Sequence, residues 1–501
     1  MELFSNLALG FSVASSLENL AFCLIGVLLG TLIGVLPGIG ATATIAMLLP
    51  ITFQLEPVSS LIMLAGIYYG AQYGGSTTAI LINMPGESSS AVTAIDGYQM
   101  ARKGMAGVAL ACAALGSFFA GTVSTFLVAL FAPPLTAIAL QFGAAEYFSL
   151  MVLGLVMSIA LAHGSILKAL AMVVLGLLLG MVGTDIYTGT PRFTLGITEY
   201  ADGLNFVALA VGVFGIAEIL RNLEHEEGRE VLTRNVGRLW PTMAEIRAML
   251  APVVRGTGIG SVLGILPGGG AVLAAFASYT VEKRLSKNPA EFGHGAIAGV
   301  AGPESANNAG AQTSFIPLLT LGIPANPVMA LMIGAMIIQG IVPGPNVAAE
   351  QPELFWGIIA SMWIGNLMLV VLNLPLIGLW VRLLTVPYYV LFPIIMAMCA
   401  IGVYSVASNT FDLYAVAFFG LLGYVMSKLR CEPAPLLLGF VLGPMLEENL
   451  RRAMILSRGD ASTFLTRPIS LTLLLLAVAV LVVVLLPTIR KSRDEVFTEG
   501  D

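Results

Sequence analysis

The stretch GVLPGIGA at Gly34–Ala41 recurs as GILPGGGA at Gly264–Ala271, 230 residues later (264 − 34 = 230), in a chain that is largely apolar. Proline and glycine both disfavour a continuous helix, and proline also removes a hydrogen-bond donor from it. In lipid an unpaired backbone group costs several kcal/mol, so such a break persists only where it is buried in protein or lines a wet cavity. Paired breaks in two halves of a chain therefore indicate the binding site of a transporter.

The composition is that of a membrane protein. Of the 501 residues, 57% are hydrophobic and 10% are charged, and the mean hydropathy is +0.92, whereas roughly 25% of residues are charged in soluble domains. The sequence predicts an all-α polytopic membrane protein with about 11–12 membrane-crossing helices and with Gly/Pro-broken or re-entrant hairpin segments. Residues 1–19 hold no Lys or Arg, so we expect a retained N-terminus and no cleavable signal peptide.

Several function classes are disfavoured by what the sequence lacks. No Lys/Arg cluster is interleaved with aromatic residues, so we do not expect nucleic acid as a partner. The four cysteines form no CxxC motif and the three histidines are far apart, so we expect no structural metal site and no cofactor. Gly268–Gly270 is not followed by the Lys-Ser/Thr of a phosphate-binding loop, and no GxSxG motif occurs. A membrane-embedded enzyme is the least favoured function, and a passive anion channel stays an alternative to a transporter.

Two further matches indicate an internal duplication. Ile82–Gly86 resembles Leu321–Ala325, displaced by 239 residues (324 − 85 = 239), and Gly212–Glu218 resembles Gly439–Gly443 ahead of Glu447. The arginine-rich polar stretch after residue 220 is interpreted as a cytoplasmic linker between the two repeats. The predicted units are an N-terminal transmembrane repeat (1–220), the cytoplasmic linker (221–252), a C-terminal transmembrane repeat (253–467), and a terminal transmembrane helix with a cytoplasmic tail (468–501).

Basic residues in equivalent loops predict that the two repeats have opposite orientations, because short cytoplasmic loops are enriched in Lys and Arg. The loop Ile51–Pro57 has no base, whereas its counterpart holds Lys283 and Arg284. The next loop holds Arg102, whereas its counterpart Ile341–Glu353 has no base. These opposed signs predict inverted-topology repeats, related by a pseudo-two-fold axis in the membrane plane.

The inverted topology requires Leu17–Pro50 and Val253–Thr280 each to enter and leave the membrane on one side. Both would then be re-entrant hairpins with a proline near the tip.

A helix that starts in mid-membrane presents unpaired N–H groups and the positive end of its dipole, which together bind anions. A glycine at such a start lets a carboxylate approach the backbone, although glycines also let membrane helices pack closely. The glycines concerned are Gly38, Gly40, Gly268 and Gly270.

Polar residues concentrate in one segment of each repeat, at Tyr68–Thr78 and at Pro303–Gln312. Intramembrane carboxylates are functional candidates by default. Glu304 is therefore a candidate carrier of a coupling ion or proton, and the alternative is that it caps a helix whose first turn follows Pro303. Glu87 and Asp96, by contrast, are expected in solvated loops at the membrane interface.

Four segments resemble the large membrane subunit, the TctA family, of the bacterial tripartite tricarboxylate transporters. The resemblance covers about Leu17–Asp460 and is carried by Gly34–Ala41, Tyr68–Glu87, Pro303–Pro324 and Gly340–Pro345. It implies a secondary active importer of the bacterial inner membrane. It also implies two partners, a small four-helix membrane subunit (TctB-like) and a periplasmic solute-binding protein (TctC-like), and symport of citrate or another di- or tricarboxylate with Na⁺ or H⁺.

The resemblance also implies site residues at the matching positions of this chain. The coupling-ion candidates are Glu304, Asn83 and Asn308. The substrate-binding candidates are Pro37, Gly38, Gly40, Ser76, Thr77, Thr78, Asn83, Pro267, Gly268, Gly270, Asn307, Asn308 and Pro324. We expect alternating access in which repeat cores that carry the hairpins move against a scaffold. An elevator displacement is preferred to rocking, because paired hairpins could seal the site from either side.

Overall fold

The computed structural model of the protein describes residues 2–36, 40–162, 165–224, 237–266, 270–383 and 388–485. Within these ranges almost all regular structure is α-helical. The sheet found there is a two-stranded antiparallel hairpin of β1 (Gly183–Thr184) and β2 (Pro191–Arg192). The prediction of an all-α protein is confirmed.

The first six of the helices up to the linker are short and long in alternation. A π segment, Val211–Ile216, joins the last two into one helix that runs from Phe206 to Glu224. The α-helices are α1 (Glu2–Ala14), α2 (Leu17–Val35), α3 (Ala41–Thr52), α4 (Pro57–Ile82), α5 (Ala91–Arg102), α6 (Ala106–Ala139), α7 (Ala144–Leu161), α8 (Ile166–Gly180), α9 (Phe206–Ala210) and α10 (Ala217–Glu224).

The described helices after the linker begin with α11 (Met243–Leu263), which starts inside the segment predicted as linker. Its start is set by Thr242, whose hydroxyl accepts from the Glu245 N–H while the Glu245 side chain accepts from the Thr242 N–H, a capping box. The others are α12 (Gly270–Leu285), α13 (Ala298–Thr313), α14 (Phe315–Leu321), α15 (Pro327–Ile338), α16 (Val347–Glu350), α17 (Pro352–Asn373), α18 (Ile377–Leu383), α19 (Tyr388–Ala407), α20 (Phe411–Lys428), α21 (Pro433–Leu456), α22 (Thr463–Thr466) and α23 (Pro468–Leu485).

Five of the described helices are long and apolar enough to cross a membrane, namely α2, α6, the continuous helix Phe206–Glu224, α17 and α20. Shorter apolar helices, among them α3, α8 and α15, accompany them. The chain is therefore a multi-pass membrane protein. The predicted total of about 11–12 crossings stays a prediction.

Two helix pairs, α2 with α4 and α11 with α13, are held by the same contact repeated in each half. In the first pair, a Cβ atom on Gly30 would collide with the carbonyl oxygen of Ile67; in the second, a Cβ atom on Gly260 would collide with that of Ala306. The glycines are 230 residues apart and the carbonyls 239 (306 − 67 = 239), the displacements of the sequence matches. Gly26 and Gly34 of α2 make the same contact with the carbonyl oxygens of Met63 and Ala71. Their counterparts in α11, Gly256 and Gly264, make it with those of Gly302 and Gly310, at the same two displacements.

This packing predicts a position-specific effect of alanine within α11. Gly260→Ala should destabilise the protein by about 1–3 kcal/mol, because its methyl group meets the α13 backbone, which cannot move aside as a side chain can. Gly258→Ala is the matched control, since nothing lies within 4 Å of a Cβ atom there. Thermal unfolding of the detergent-solubilised variants measures the difference. Equal stability of the two variants would contradict the close contact.

The polar stretches of α4 and α13 lie at the centre of the molecule. Helix α4 packs against α2, α3, α5 and α17, and α13 packs against α6, α11 and α12. Residues 59–81 of α4 and 299–313 of α13 are buried throughout. Two helices rich in hydroxyl and amide groups are thus enclosed on all sides, which places the candidate site between them.

Candidate functional site

On the far side of each Gly/Pro break the described residues resume with a glycine at the start of a helix. Gly40 directly precedes α3, and Gly270 is the first residue of α12. Four of the predicted substrate-binding residues, Pro37, Gly38, Pro267 and Gly268, lie outside the described residues. The two breaks are therefore located here by the helix starts that follow them, called below the first tip (Gly40–Ala41) and the second tip (Gly270–Ala271).

The first tip is occupied by a carboxylate of the protein itself. The Ala41 N–H donates to Glu87 Oε1, and a Cβ atom on Gly40 would lie 3.5 Å from the same oxygen. Glu87 is half-buried and opens the 3₁₀ turn Ser88–Ser90. The carboxylate thus compensates the positive end of the α3 dipole, so the prediction that Glu87 lies in a solvated loop was wrong.

The second tip is faced by an amide in the equivalent position. Asn326 lies 239 residues after Glu87 (326 − 87 = 239), and a Cβ atom on Gly270 would lie 3.5 Å from Asn326 Nδ2. The Asn326 side chain accepts from the Met329 N–H at 2.9 Å and donates to the Tyr68 hydroxyl at 3.2 Å. Tyr68 therefore connects α4 of the first half with the second tip.

Glu304 lies at the centre of a buried polar cluster. It is 1% exposed, and it accepts hydrogen bonds from the hydroxyls of Ser76, at 2.7 Å, and Thr93. The Asn308 amide donates to Ser117 Oγ at 2.7 Å and to the main-chain oxygen of Glu304 at 3.1 Å. Helices α4, α5, α6 and α13 each contribute a polar group to this cluster.

A small cavity adjoins the Glu304 cluster. Its volume, counted as space open to the centre of a water molecule, is about 10 Å³, which is room for about one water. Its polar lining residues are Tyr73, Ser76, Thr77, Ser117, Glu304 and Asn373.

Helix α13 begins at Ala298, six residues before Glu304 (304 − 298 = 6), with Pro303 inside it. The alternative that Glu304 caps a helix start is therefore wrong.

The remaining predicted residues are placed in different surroundings. Thr77 and Thr78 donate to carbonyl oxygens of their own helix, at 3.3 and 2.9 Å. Asn83 ends α4 in the left-handed conformation (φ 58°) and is exposed, and the equivalent Gly322 (322 − 83 = 239) ends α14 in the same way (φ 69°). Pro324 is buried in the loop that leads to Asn326.

Asn307 differs from its neighbours in having no partner. It is 0% exposed, and within the described part of the chain neither its Nδ2 nor its Oδ1 atom has a hydrogen-bond partner. A buried polar group left unpaired costs about 1–3 kcal/mol. Such a group is a candidate ligand-binding group, because a bound ligand would satisfy it.

Asp96 is a buried anchor that sequence analysis placed wrongly in a solvated loop. It is 0% exposed, and its Oδ1 atom accepts N–H hydrogen bonds from Gly293, Gly295 and Ala296 at 2.9, 2.7 and 2.9 Å. Its Oδ2 atom accepts from the Tyr279 hydroxyl at 3.0 Å. Asp96 thereby ties α5 of the first half to α12 and to the loop before α13 in the second half.

Charges on one side of the molecule are paired in an ion cluster. Asp185, after β1, lies 2.8 Å from Arg451 and 3.6 Å from Arg192, and Glu447 lies 2.7 Å from each arginine. Desolvation raises the pKa of Asp185, but the N–H of Tyr187 and the Arg451 guanidinium outweigh it and lower that pKa to about 2. The two arginines are thus held by carboxylates and are not free to attract a substrate.

Three polar residues of the site were missed by sequence analysis. Thr93 and Ser117 are single hydroxyls in otherwise ordinary helices, and no local pattern distinguishes them. Asn326 did have a signal, because it stands in register with Glu87 when Pro85 is aligned with Pro324. Within the described residues no group of His, Cys, Asp and Glu has the arrangement of a metal site.

One family model and two curated relatives match the chain. The profile of the tripartite tricarboxylate transporter TctA family matches residues 20–438. The chain is 68% identical over the full length of both chains to an Agrobacterium vitis protein named "Uncharacterized 52.8 kDa protein in TAR-I ttuC' 3'region". It is 70% identical over 242 residues to the "Uncharacterized protein in TAR-II ttuC' 3'region" of Agrobacterium vitis, covering 48% of this chain and all of that one. No solved structure matches the chain significantly.

Proposed function

This chain belongs to the tripartite tricarboxylate transporter TctA family, and from that premise we propose that it is the large transmembrane subunit of a secondary active carboxylate importer. The proposed substrates are citrate-like di- and tricarboxylates delivered by a periplasmic solute-binding protein. A small four-helix membrane subunit completes the complex in the bacterial inner membrane. The driving force is a gradient of Na⁺ or H⁺.

The observation that carries this proposal is the pair of tips. Each tip is the start of a helix that follows a Gly/Pro break. Glu87 faces the first tip and Asn326 faces the second, and these two residues are 239 positions apart. Helix starts within a protein interior bind anions. Tyr68 and Asn307 are equivalent by the same displacement (307 − 68 = 239). We propose that the substrate site lies at the tips and includes Gly40, Gly270 and Asn307.

The inverted topology with re-entrant hairpins is part of the proposal and has support in helix length. Helix α3 has 12 residues, which at 1.5 Å per residue is about 18 Å. A hydrocarbon core is about 30 Å thick, so α3 is too short to cross it. We propose that α3 and α12 return to the side from which α2 and α11 enter.

Glu304 is the proposed carrier of the coupling ion, with Asn308 and Asn83 as further candidates. Its carboxylate is surrounded by hydroxyl oxygens of Ser76 and Thr93 and by a cavity the size of a water molecule. This arrangement suits a proton shared with the hydroxyls, and it equally suits a small cation held by oxygen ligands. An elevator movement of the hairpin-bearing cores is proposed, because Asp96 ties parts of both halves together.

Uptake by the reconstituted complex tests the proposal. The chain and its small partner are placed in proteoliposomes, the cognate binding protein and labelled citrate are added outside, and a Na⁺ or H⁺ gradient is imposed separately. We expect accumulation under one of the two gradients and only with the binding protein. Ionophore-treated vesicles are the control. Citrate flux that is the same with and without a gradient would instead indicate a passive channel.

A further inference from the structure

The two tips differ in charge although they are built alike. The residue that faces the glycine is the acid Glu87 at the first tip and the neutral amide Asn326 at the second. The two side chains are equally close, since each lies 3.5 Å from a Cβ atom built on the glycine that it faces. The group that faces the glycine is therefore an anion of the protein at the first tip and a neutral amide at the second.

This difference changes what each helix start can bind. At the first tip the Ala41 N–H already donates to Glu87, so a second anion would meet the charge of that carboxylate. At the second tip the Asn326 side-chain oxygen accepts from the Met329 N–H, and its Nδ2 atom donates to the Tyr68 hydroxyl. The 16-residue helix α12 therefore keeps the positive end of its dipole without a counter-charge from Asn326.

Asn307 supplies an independent observation. Its amide is fully buried and unpartnered within the described residues. It lies one helical turn before Gly310, where a Cβ atom would be 3.1 Å from Ala271 Cα and 3.5 Å from the Gly270 carbonyl carbon. The 3₁₀ turn Ser88–Ser90 packs on both α12 and α13 beside it. An unpartnered buried amide thus lies one helical turn along α13 from the residue that contacts the start of α12.

We infer that a substrate carboxylate binds at the second tip, between the start of α12 and the Asn307 amide, and that Glu87 is the protein's own anion in the equivalent place at the first tip. The inference rests on the proposed function and deepens it, since it assigns the anion to one hairpin. The carboxylate accepts from the N–H groups of α12 and from Asn307 Nδ2. The first hairpin keeps its negative charge and so favours a cation.

Paired cysteines report which tip the substrate occupies. Thr42 and Val272 are equivalent (272 − 42 = 230), each is half-buried, and each lies at the start of the helix that follows its tip. Thr42→Cys and Val272→Cys are made separately in the complex with its small subunit and labelled with a small maleimide. Citrate at ten times its Kd should slow labelling of the Val272→Cys thiol about tenfold and leave that of Thr42→Cys unchanged. The unsubstituted chain, with its four native cysteines, sets the background.

A charge exchange between the tips provides the matched variant. Glu87→Asn combined with Asn326→Glu leaves composition and formal net charge unchanged and should remove citrate protection from the Val272→Cys thiol, because a carboxylate then faces the second tip. If the exchanged protein does not fold, Asn326→Asp alone should remove protection at Val272→Cys. Protection at Thr42→Cys in the original background, or equal protection at both thiols, would overturn the inference.

Failure of the inference is distinguishable from failure of the proposed function. If citrate is taken up by the complex yet protects neither thiol, the substrate binds elsewhere and only the assignment to the second tip falls. If no di- or tricarboxylate is taken up and neither thiol is protected, the proposed function itself falls and the inference with it.

Discussion

Glu304→Gln is expected to abolish cation-driven uptake while the protein still folds. Glutamine has the same shape: one of the hydroxyls of Ser76 and Thr93 can rotate to accept from its NH2 group while the other still donates to its oxygen. The charge that would hold a cation or proton is lost, however. Losing the charged partner of a bound ion costs up to about 3 kcal/mol, as for a hydrogen bond to a charged group, so we expect a fall in uptake of about 100-fold.

The measurement is gradient-driven uptake by proteoliposomes, normalised to folded protein by size-exclusion chromatography. Ser305→Ala is the matched control, because Ser305 is the next residue of α13, is equally buried and donates only to the Ala301 carbonyl at 2.8 Å. Its uptake should stay within about twofold of the original, since the lost bond is local to one helix. Full uptake by Glu304→Gln would assign Glu304 a purely structural role.

Asp96→Ala is expected to destabilise the protein strongly. It would leave three N–H groups without their acceptor, the buried one of Ala296 and the part-buried ones of Gly293 and Gly295. An unsatisfied buried group costs about 1–3 kcal/mol and part-buried groups cost less, so we expect a loss of about 2 kcal/mol or more. Thermal unfolding in detergent and the yield of monodisperse protein both measure it.

Asp96→Asn and Tyr279→Phe separate the parts of this anchor. Asparagine keeps an oxygen for the three N–H groups and can donate to the Tyr279 hydroxyl, so it should cost much less than alanine. Tyr279→Phe removes one hydrogen bond, for an expected loss of about 1 kcal/mol. If Asp96→Ala unfolds at the same temperature as the original protein, water replaces the carboxylate and the anchor is not needed.

The anchor bears on how the halves can move. Asp96 ties α5 to the loop before α13, and Glu304 on α13 binds hydroxyls of α4 and α5. The polar helices of the two halves are therefore joined by buried hydrogen bonds. A movement that separated them would break several such bonds at once. This connection favours, within the proposed mechanism, their displacement as one body.

Much of the fold was accessible from the sequence because lipid imposes a simple local requirement. Every backbone group must be paired inside its own segment, so apolar runs become helices and a Gly/Pro break marks a special site. The repeats were predicted from three sequence matches in the same order, beginning with Gly34–Ala41 and Gly264–Ala271. The structure then shows the same glycine contacts with α4 and α13 at the same displacements.

The composition, the helical class, the duplication and the polar segments around Glu304 were determined by the sequence itself, since each depends on residues that are neighbours along the chain. Only the tertiary structure decided that Glu87 lies on the start of α3, 46 residues away, or that Asp96 is buried against a loop 197 to 200 residues away. A charged residue in a loop looks the same in sequence whether water or a distant backbone satisfies it. Which of the two applies depends on the packing that encloses it, and local patterns carry no record of that packing.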